Sequence, residues 1–208
     1  EDVIKGNDYF DLEPYTDPDF FNEWKNWLDV AAKQLWLKKA AQPVLFLAEH
    51  EKLANTLEWE KPILYQPFGS TMQMNGADKS YRSLRIEDAQ YIADWLNAKG
   101  YTVYVCERND QPKLKNCKQL TVDYIRWLVT LCARYPVLWV DSSLHHAAKA
   151  FGKQAVVIWS GTDAWRFGYP SHINLRTTEP YTYVPFRLWV DFNTDIINQH
   201  CNKFSKEF

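Results

Sequence analysis

The segment from residue 137 to residue 163 constrains the fold more than any other part of the chain. It contains two short apolar runs, Val137–Val140 and Ala155–Trp159, separated by a helical stretch from Leu144 to Phe151 that Gly152 closes. Short apolar runs that alternate with helices are typical of right-handed βαβ units on a parallel sheet. The segment therefore predicts an α/β fold.

The same alternation begins at Lys61 and continues to the end of the chain. We expect two further strands and three further helices, at Ile63–Tyr65, Glu87–Lys99, Tyr101–Cys106, Thr121–Arg134 and Asp191–Lys206. Because consecutive strands joined by helices run parallel, the pattern predicts a Rossmann-like parallel sheet flanked by helices over residues 61–208.

Residues 1–60 have a different character. Apolar side chains recur at helical spacing from Phe20 to Leu35, after Pro18, which is suited to the first position of a helix. Weaker patterns suggest a strand at Val44–Leu47 and a helix at Glu49–Leu57. We expect a helical N-terminal segment. Since the chain starts with Glu rather than Met, this segment could be the tail of an upstream domain.

Composition excludes several classes of function. The 208 residues carry 24 basic and 26 acidic side chains, so the net charge of −2 gives no general attraction to nucleic acid or anionic membranes. No apolar run approaches the ~20 residues that span a bilayer, and the N-terminus lacks the features of a secretory signal, so we expect a cytoplasmic protein. The four cysteines are widely spaced and predict neither a disulfide framework nor a metal site.

Three polar segments follow predicted strands. They are the loop from Gly69 and Ser70 to Lys79, the turn Asp141–Ser143, and the turn Ser160–Asp163. Ligands of open parallel sheets bind outside the carboxyl ends of the strands, and exposed amides at a helix N-terminus can hold a phosphate. These segments therefore predict one shared ligand site.

The same segments resemble a known family. Gln66–Ser70, then Lys79–Tyr81, then Asp141–Ala148 and finally Ser160–Asp163 look like the C-terminal half of the ADP-heptose:lipopolysaccharide heptosyltransferases. These are glycosyltransferases of the GT-B type, which has two Rossmann-like domains. The D-[ST]-x-L-x-H-x-A segment is the most specific part of the resemblance.

The resemblance implies that this GT-B C-terminal domain binds the nucleotide and the diphosphate of a sugar donor. Lys79 matches the phosphate-binding lysine of the family and His146 its histidine, which makes these two the candidate catalytic residues. Neither a metal nor a cofactor is implied. The remaining candidate contacts to the nucleotide sugar are Gly69, Ser70, Arg82, Asp141, Ser142, Ser143, Leu144, Gly161 and Thr162.

Two departures from the family pattern stand out. Ser143 occupies a position where the family usually has glycine, and its Cβ hinders a positive φ and a close approach of phosphate to the backbone. The family's general base is an aspartate of the N-terminal domain, so we expect an N-terminal domain or a second chain to complete the active site.

The resemblance favours an inverting, metal-independent glycosyltransferase acting on a carbohydrate or another hydroxyl acceptor. A non-catalytic nucleotide-sugar-binding module, a sugar-nucleotide epimerase and a glycosyltransferase for modified DNA bases remain alternatives.

Individual site residues also have structural interpretations. Asp141 and Ser142 could simply cap a helix, His146 could be a core residue, and His145 is expected to be exposed. Trp159 and Trp165 flank the Gly-Thr turn and could contact a base or a sugar.

Overall fold

The computed structural model of the chain describes residues 17, 25–34, 38, 42–44, 57, 61–69, 82–107, 111–121 and 131–176. Helices and strands within these residues are numbered here in chain order. They are α1 (Trp27–Gln34), β1 (Pro62–Gln66), α2 (Ile86–Ala98), β2 (Thr102–Glu107), β3 (Lys118–Thr121), β4 (Val137–Val140), α3 (Ser143–Ala150), β5 (Val156–Trp159), α4 (Ala164–Phe167) and β6 (Ile173–Arg176).

The six strands form one sheet with the order β3-β2-β1-β4-β5-β6. Every neighbouring pair is parallel, and Leu64 of β1 lies beside Tyr104 of β2 on one side and Val137 of β4 on the other. The order reverses direction between β1 and β4, which is the arrangement of a doubly wound Rossmann sheet. The predicted α/β class and parallel sheet are therefore confirmed.

One face of the sheet, here the aliphatic face, carries the main core. Alternate residues of β1, β2, β4 and β5 point to this face and pack against buried residues of α2. Each large aliphatic side chain buried in this way stabilises the fold by about 1.5–3 kcal/mol. The buried cluster includes Ile63, Val103, Val105, Leu138, Val140, Val156, Ile158, Ala89, Ile92, Ala93 and Leu96.

The opposite face, here the aromatic face, carries larger and more polar side chains. Trp139 and Trp159 point there by strand alternation, and both are almost completely buried. The ring of His145 in α3 lies 5.4 Å from the ring of Trp159, so α3 packs on this face. Helices α2 and α3 thus cover opposite faces, as expected on either side of the reversal in strand order.

Local sequence sets both ends of α3. Ser142 is the N-cap residue, with extended backbone and a hydroxyl that accepts a hydrogen bond from the amide of Leu144 at 3.4 Å. Gly152 follows the last turn with a φ of 71°, a left-handed conformation that glycine adopts at little cost. The bounds of α3 therefore agree to within one residue with the predicted helix, Leu144 to Phe151, and Gly152 follows it as predicted.

Two strands of the sheet were not predicted. β3 and β6 are the edge strands, and β3 ends at Thr121, where a helix was expected to begin. Leu131 and Cys132 at the far end of that expected helix are helical. The remaining expected elements lie mainly on residues 18–24, 45–47, 49–56, 122–130 and 191–206, outside the described residues.

The chain divides into two compact units. One unit comprises Glu1–Gln42 together with Trp165–Phe167, and the other comprises Pro43–Ala164 together with Gly168–Phe208. Within the first unit, the side-chain amide of Asn26 donates to the carbonyl oxygen of Trp165 at 3.0 Å. The second unit contains the whole sheet. A boundary between residues 60 and 61 stays a prediction.

Among the described helices, none combines the length and the apolar character required to cross a bilayer.

Candidate functional site

Polar side chains meet where the strand order reverses. Gln66 is the last residue of β1, and Asp141 and Ser142 follow the last residue of β4. The hydroxyl of Ser142 donates to the side-chain carbonyl of Gln66 at 2.7 Å, which joins the carboxyl ends of the two central strands. In doubly wound sheets this crevice is where ligands bind. The predicted Asp-Ser-Ser turn therefore lies at the expected place.

The backbone at the start of the loop after β1 is held by hydrogen bonds to side chains and to other backbone groups. The amide of Gly69 donates to the hydroxyl of Ser83 at 2.9 Å, and its carbonyl oxygen accepts from the side chain of Gln111 at 2.9 Å. The amide of Leu84 donates to the carbonyl of Pro67 at 2.9 Å. These bonds fix Gly69 at the start of the loop. The candidate residues Ser70 and Lys79 lie outside the described residues.

Asp141 is a buried carboxylate with two charged or polar neighbours. Its Oδ1 lies 3.2 Å from Nε2 of His145, and its Oδ2 lies 3.5 Å from Nε of Arg82. Burial opposes ionisation, but hydrogen bonding from His145 and Thr162 and the charge of Arg82 outweigh it and lower the pKa of Asp141. The carboxylate is therefore ionised at neutral pH, and Arg82 balances its charge.

His145 was expected to be exposed, and this expectation is wrong. The side chain is fully buried against the aromatic face. Residues four apart on a helix share a face, which brings His145 next to Asp141 at the start of α3. The ring also packs beside the rings of His146, Trp159 and His172, with ring centres 3.9, 5.4 and 5.9 Å away. The D-x-x-x-H spacing was the sequence signal for this contact.

His146 is half-buried and stays neutral. Its Nδ1 lies 2.8 Å from the hydroxyl oxygen of Tyr169. Burial, with a smaller contribution from His145, lowers the pKa of His146 to about 3. A histidine with this pKa carries no positive charge at neutral pH, so it can hydrogen-bond to a ligand but cannot balance the charge of a phosphate.

The remaining site candidates have different surroundings. Ser143 is exposed, and its φ is not positive, so the backbone at this position does not require the glycine of the family. The side chain of Leu144 belongs to the buried core, which leaves only its backbone facing the turn. Gly161 is buried, and Thr162 lies beside Asp141. The structure thus brings Arg82, Asp141 and Thr162 together.

Sequence reasoning missed a second group of polar residues, under α3. The carboxamide of Asn174 donates to the carbonyl of Tyr169 at 3.0 Å and accepts from the indole N–H of Trp159 at 2.8 Å. His172 accepts from the amide of Ala155 at 3.1 Å through Nδ1, and its Nε2 lies 3.0 Å from the carbonyl oxygen of His145. Trp159, for which the sequence left open a contact with a base or a sugar, is 1% exposed and hydrogen-bonded, so it is a core residue.

Three of these side chains have ligand atoms suited to a divalent cation. In the part of the chain that the structure describes, one atom each from Asp141, His145 and His146 lie within 4.8 Å of one another. Carboxylate and imidazole are common ligands of divalent metals. However, both oxygens of Asp141 already face partners, and the guanidinium of Arg82 would repel a cation at this position.

No protein-family model and no curated protein matches the sequence. The solved structures that it resembles include a family 9 glycosyltransferase from Veillonella parvula, with a TM-score of 0.60 and 13% identity over 97% of this chain and 63% of that one. ADP-heptose lps heptosyltransferase II of E. coli gives a TM-score of 0.60 and 17% identity over 88% of this chain and 62% of that one.

This chain has the fold of these glycosyltransferases. A third structure, the E. coli heptosyltransferase WaaC with ADP, gives a TM-score of 0.53 and 14% identity over 85% of this chain and 54% of that one. The fold that the sequence motifs implied is thereby confirmed. The chain spans less than two thirds of the length of each of these structures.

Proposed function

We propose that this chain supplies the donor-binding domain of an inverting, metal-independent glycosyltransferase that uses a nucleotide-diphosphate sugar. The observation that carries the proposal is the bond between Ser142 and Gln66, which places the N-terminus of α3 at the reversal of strand order. A helix N-terminus in this crevice favours an anionic group such as a diphosphate. The likeness to heptosyltransferases supports the same ligand class.

The proposed reaction is a single displacement. An acceptor hydroxyl attacks the anomeric carbon of the donor sugar, and the bond from that carbon to the diphosphate oxygen breaks with its electron pair on the oxygen. A base outside this chain segment takes the hydroxyl proton. Negative charge therefore builds on the diphosphate, where amides at the start of α3 stabilise it.

Charge balance gives Lys79 its proposed role. The carboxylate of Asp141 and the guanidinium of Arg82 lie 3.5 Å apart and offset each other, and His146 is neutral. Arg82 can still donate hydrogen bonds to a phosphate, but the pair adds no net positive charge. We propose that Lys79 supplies the cation that the leaving diphosphate needs.

One observation favours the alternative of a non-catalytic binding module. Because the chain spans 63% or less of the three structures reported above, a nucleotide-sugar-binding module without catalysis would have the same site. Binding and transfer therefore need separate experiments.

Binding is tested by thermal unfolding of the chain in the presence of ADP, UDP, GDP and the corresponding sugar nucleotides. A ligand of the folded state raises the melting temperature by mass action, so we expect one base to give a selective rise. Lys79→Ala should weaken binding of that nucleotide about tenfold or more and leave the melting temperature of the free protein unchanged. Lys99→Ala, at a lysine packed over the ring of Trp95, is the matched control and should bind normally.

Transfer is tested with a labelled sugar donor and a hydroxyl acceptor. We expect transfer of the label with inversion, unchanged by EDTA, once the completing domain or chain is present. Selective binding without turnover would favour the non-catalytic module, and an isomerised donor would favour an epimerase. If no nucleotide shifts the melting temperature, the proposal is wrong.

A further inference from the structure

The side chain of Gln66 offers hydrogen-bond donors at the reversal of strand order. Gln66 is the last residue of β1 and is half-buried. Its side-chain oxygen Oε1 lies 2.7 Å from the hydroxyl oxygen of Ser142, the N-cap residue of α3. Within the described residues, this hydroxyl is the one hydrogen-bond partner of the carboxamide. The nitrogen Nε2 carries two N–H groups, and neither has an acceptor there.

Two observations fix which end of the carboxamide faces Ser142. The hydroxyl oxygen of Ser142 already accepts from the amide of Leu144 at 3.4 Å, so the hydroxyl proton needs an acceptor of its own. If the nitrogen of Gln66 faced Ser142 instead, that proton would lose its acceptor among the described residues. The distance of 2.7 Å is also typical of an O–H···O bond and shorter than most N–H···O bonds. The oxygen therefore faces Ser142, and Nε2 does not.

The geometry of a carboxamide places Nε2 at the start of α3. The oxygen and the nitrogen of a carboxamide lie about 2.3 Å apart, given the lengths of the C=O and C–N bonds. Nε2 therefore lies within about 5 Å of the hydroxyl oxygen of Ser142. The first amides of a helix have no acceptor within the helix, so the amides at the start of α3 and the N–H groups of Gln66 are neighbouring donors. An anion held by the helix amides is then within reach of Nε2.

We infer that Gln66 is a further binding residue for the diphosphate of the nucleotide, which it contacts through Nε2 while Oε1 stays bonded to Ser142. The inference rests on the proposed function for the identity of the ligand. Phosphate oxygens accept hydrogen bonds, and a bond to a charged acceptor is stronger than one between neutral groups. A ligand bonded in this way leaves the cap of α3 intact, because the hydroxyl of Ser142 keeps both of its partners.

The orientation of the carboxamide can be measured by NMR without any ligand. The side-chain N–H groups of glutamines give paired proton–nitrogen signals, and Gln66→Glu identifies the pair of Gln66 by its loss. We expect these protons to exchange with water as fast in Ser142→Ala as in the native chain, since Nε2 is not bonded to Ser142. Faster exchange in Ser142→Ala would show the reverse orientation and overturn the inference.

The same signals report contact with the ligand in the native chain. Saturation with ADP, or with UDP or GDP if thermal unfolding selects that base, should shift the signals of Gln66 and slow the exchange of its N–H protons. Unchanged signals in the nucleotide-saturated chain would overturn the inference. This measurement does not depend on the folding of any variant beyond the one used for assignment.

The contribution to affinity is measured by titration of the same nucleotide. Gln66→Glu keeps an acceptor for the hydroxyl of Ser142 but replaces the N–H groups with a carboxylate oxygen, which repels phosphate. It should weaken binding about tenfold or more. Gln154→Glu is the matched control, because it changes the net charge equally at the amino end of β5, where Gln154 donates to the carbonyl of Ser171. It should bind normally.

A nucleoside without phosphate separates contact with the diphosphate from contact with the rest of the ligand. Gln66→Glu should leave the binding of adenosine, or of the nucleoside that matches the selected base, unchanged. Equal losses for the nucleotide and the nucleoside, or no loss for either, would overturn the inference and leave the proposed function standing. If the native chain binds no nucleotide, the proposed function is wrong, and the inference that rests on it is wrong as well.

Discussion

The two faces of the sheet are stabilised in different ways. The aliphatic face packs α2 mainly against side chains without polar atoms, such as Ile63 and Ile158, and the hydroxyl of Tyr65, which donates to the carbonyl of Ala89 at 3.3 Å, is an exception. The aromatic face packs α3 through imidazole, indole and phenol groups that are hydrogen-bonded to one another and to the backbone. Apolar packing depends on volume, whereas hydrogen-bonded packing depends also on protonation. The packing of the face next to the candidate site is therefore the one that depends on pH and on the presence of single polar atoms.

Truncation on the aliphatic face should give the largest effect. Ile158→Ala removes a fully buried side chain from β5 and should lower the free energy of unfolding by about 2–5 kcal/mol. The loss should be the same at pH 7 and pH 5, since no titratable group is removed. Urea unfolding measures it, with Ile86→Ala as the control because Ile86 is 46% exposed. A loss below about 1 kcal/mol would mean that this face is not the main core.

Acid should destabilise the aromatic face specifically. Burial lowers the pKa of His172 to about 4, so between the ordinary histidine pKa of ~6.5 and pH 4 the unfolded chain binds a proton that the folded chain does not. Stability is therefore highest above pH 6.5, falls as the pH drops toward 4, and loses nothing more from this residue below 4. The expected loss is on the order of 3 kcal/mol, since each pKa unit corresponds to about 1.4 kcal/mol.

Replacing His172 by Gln tests this pH dependence of the unfolding free energy. The side chain of Gln can accept from the amide of Ala155 and donate to the carbonyl of His145, as His172 does, but it does not titrate. His172→Gln should therefore reduce the slope of unfolding free energy against pH between 6.5 and 4, and the remaining slope comes in part from His146, whose pKa burial lowers to about 3. An unchanged slope would place the pH sensitivity elsewhere.

A methyl group at Gly168 should have an intermediate effect. A Cβ there would lie 2.5 Å from the carbonyl oxygen of Ala164 and 2.8 Å from the indole ring of Trp159, and both distances are too short to be tolerated without a shift. Gly168→Ala should cost about 1–3 kcal/mol by this overpacking. Gly152→Ala is a useful contrast, because nothing lies within 4 Å and only its φ of 71° resists the change. A neutral Gly168→Ala would show that the aromatic face is loosely packed.

Loss of the Ser142 hydroxyl should give the smallest change. Ser142→Ala removes the cap of α3 and should cost about 1 kcal/mol. Ser142→Thr keeps the hydroxyl and should restore most of that stability. If urea unfolding shows almost no change in the free energy of unfolding of Ser142→Ala, then water replaces the capping hydroxyl without a loss of stability.

The central strands were predictable because burial on both faces makes them continuous apolar runs. Val137–Val140 and Val156–Trp159 are buried at every position. The edge strands were missed for the converse reason: in Ile173–Arg176 half-buried and exposed residues alternate, and polar side chains occupy the open positions. An edge strand of four residues leaves little periodicity to detect.

The position of the candidate site followed from chain order, but the contacts among its residues did not. Placement of Asp141 after a buried strand was enough to locate the crevice. The roles of Tyr169 and His172 depend on where β6 returns beside β5, and no local pattern encodes that pairing. For His145, the spacing from Asp141 was available, and the apolar surroundings that bury the ring were not visible in the sequence.

The bond between Ser142 and Gln66 has a consequence for affinity. The crevice contains a hydroxyl whose proton already has an acceptor 2.7 Å away, so an incoming anion that uses this hydroxyl must displace the Gln66 carboxamide. The net gain is then the difference between two hydrogen bonds rather than the whole of one. A shorter side chain in place of Gln66 would release the competitor, and an unoccupied crevice of that kind would attract small anions more strongly than the native one.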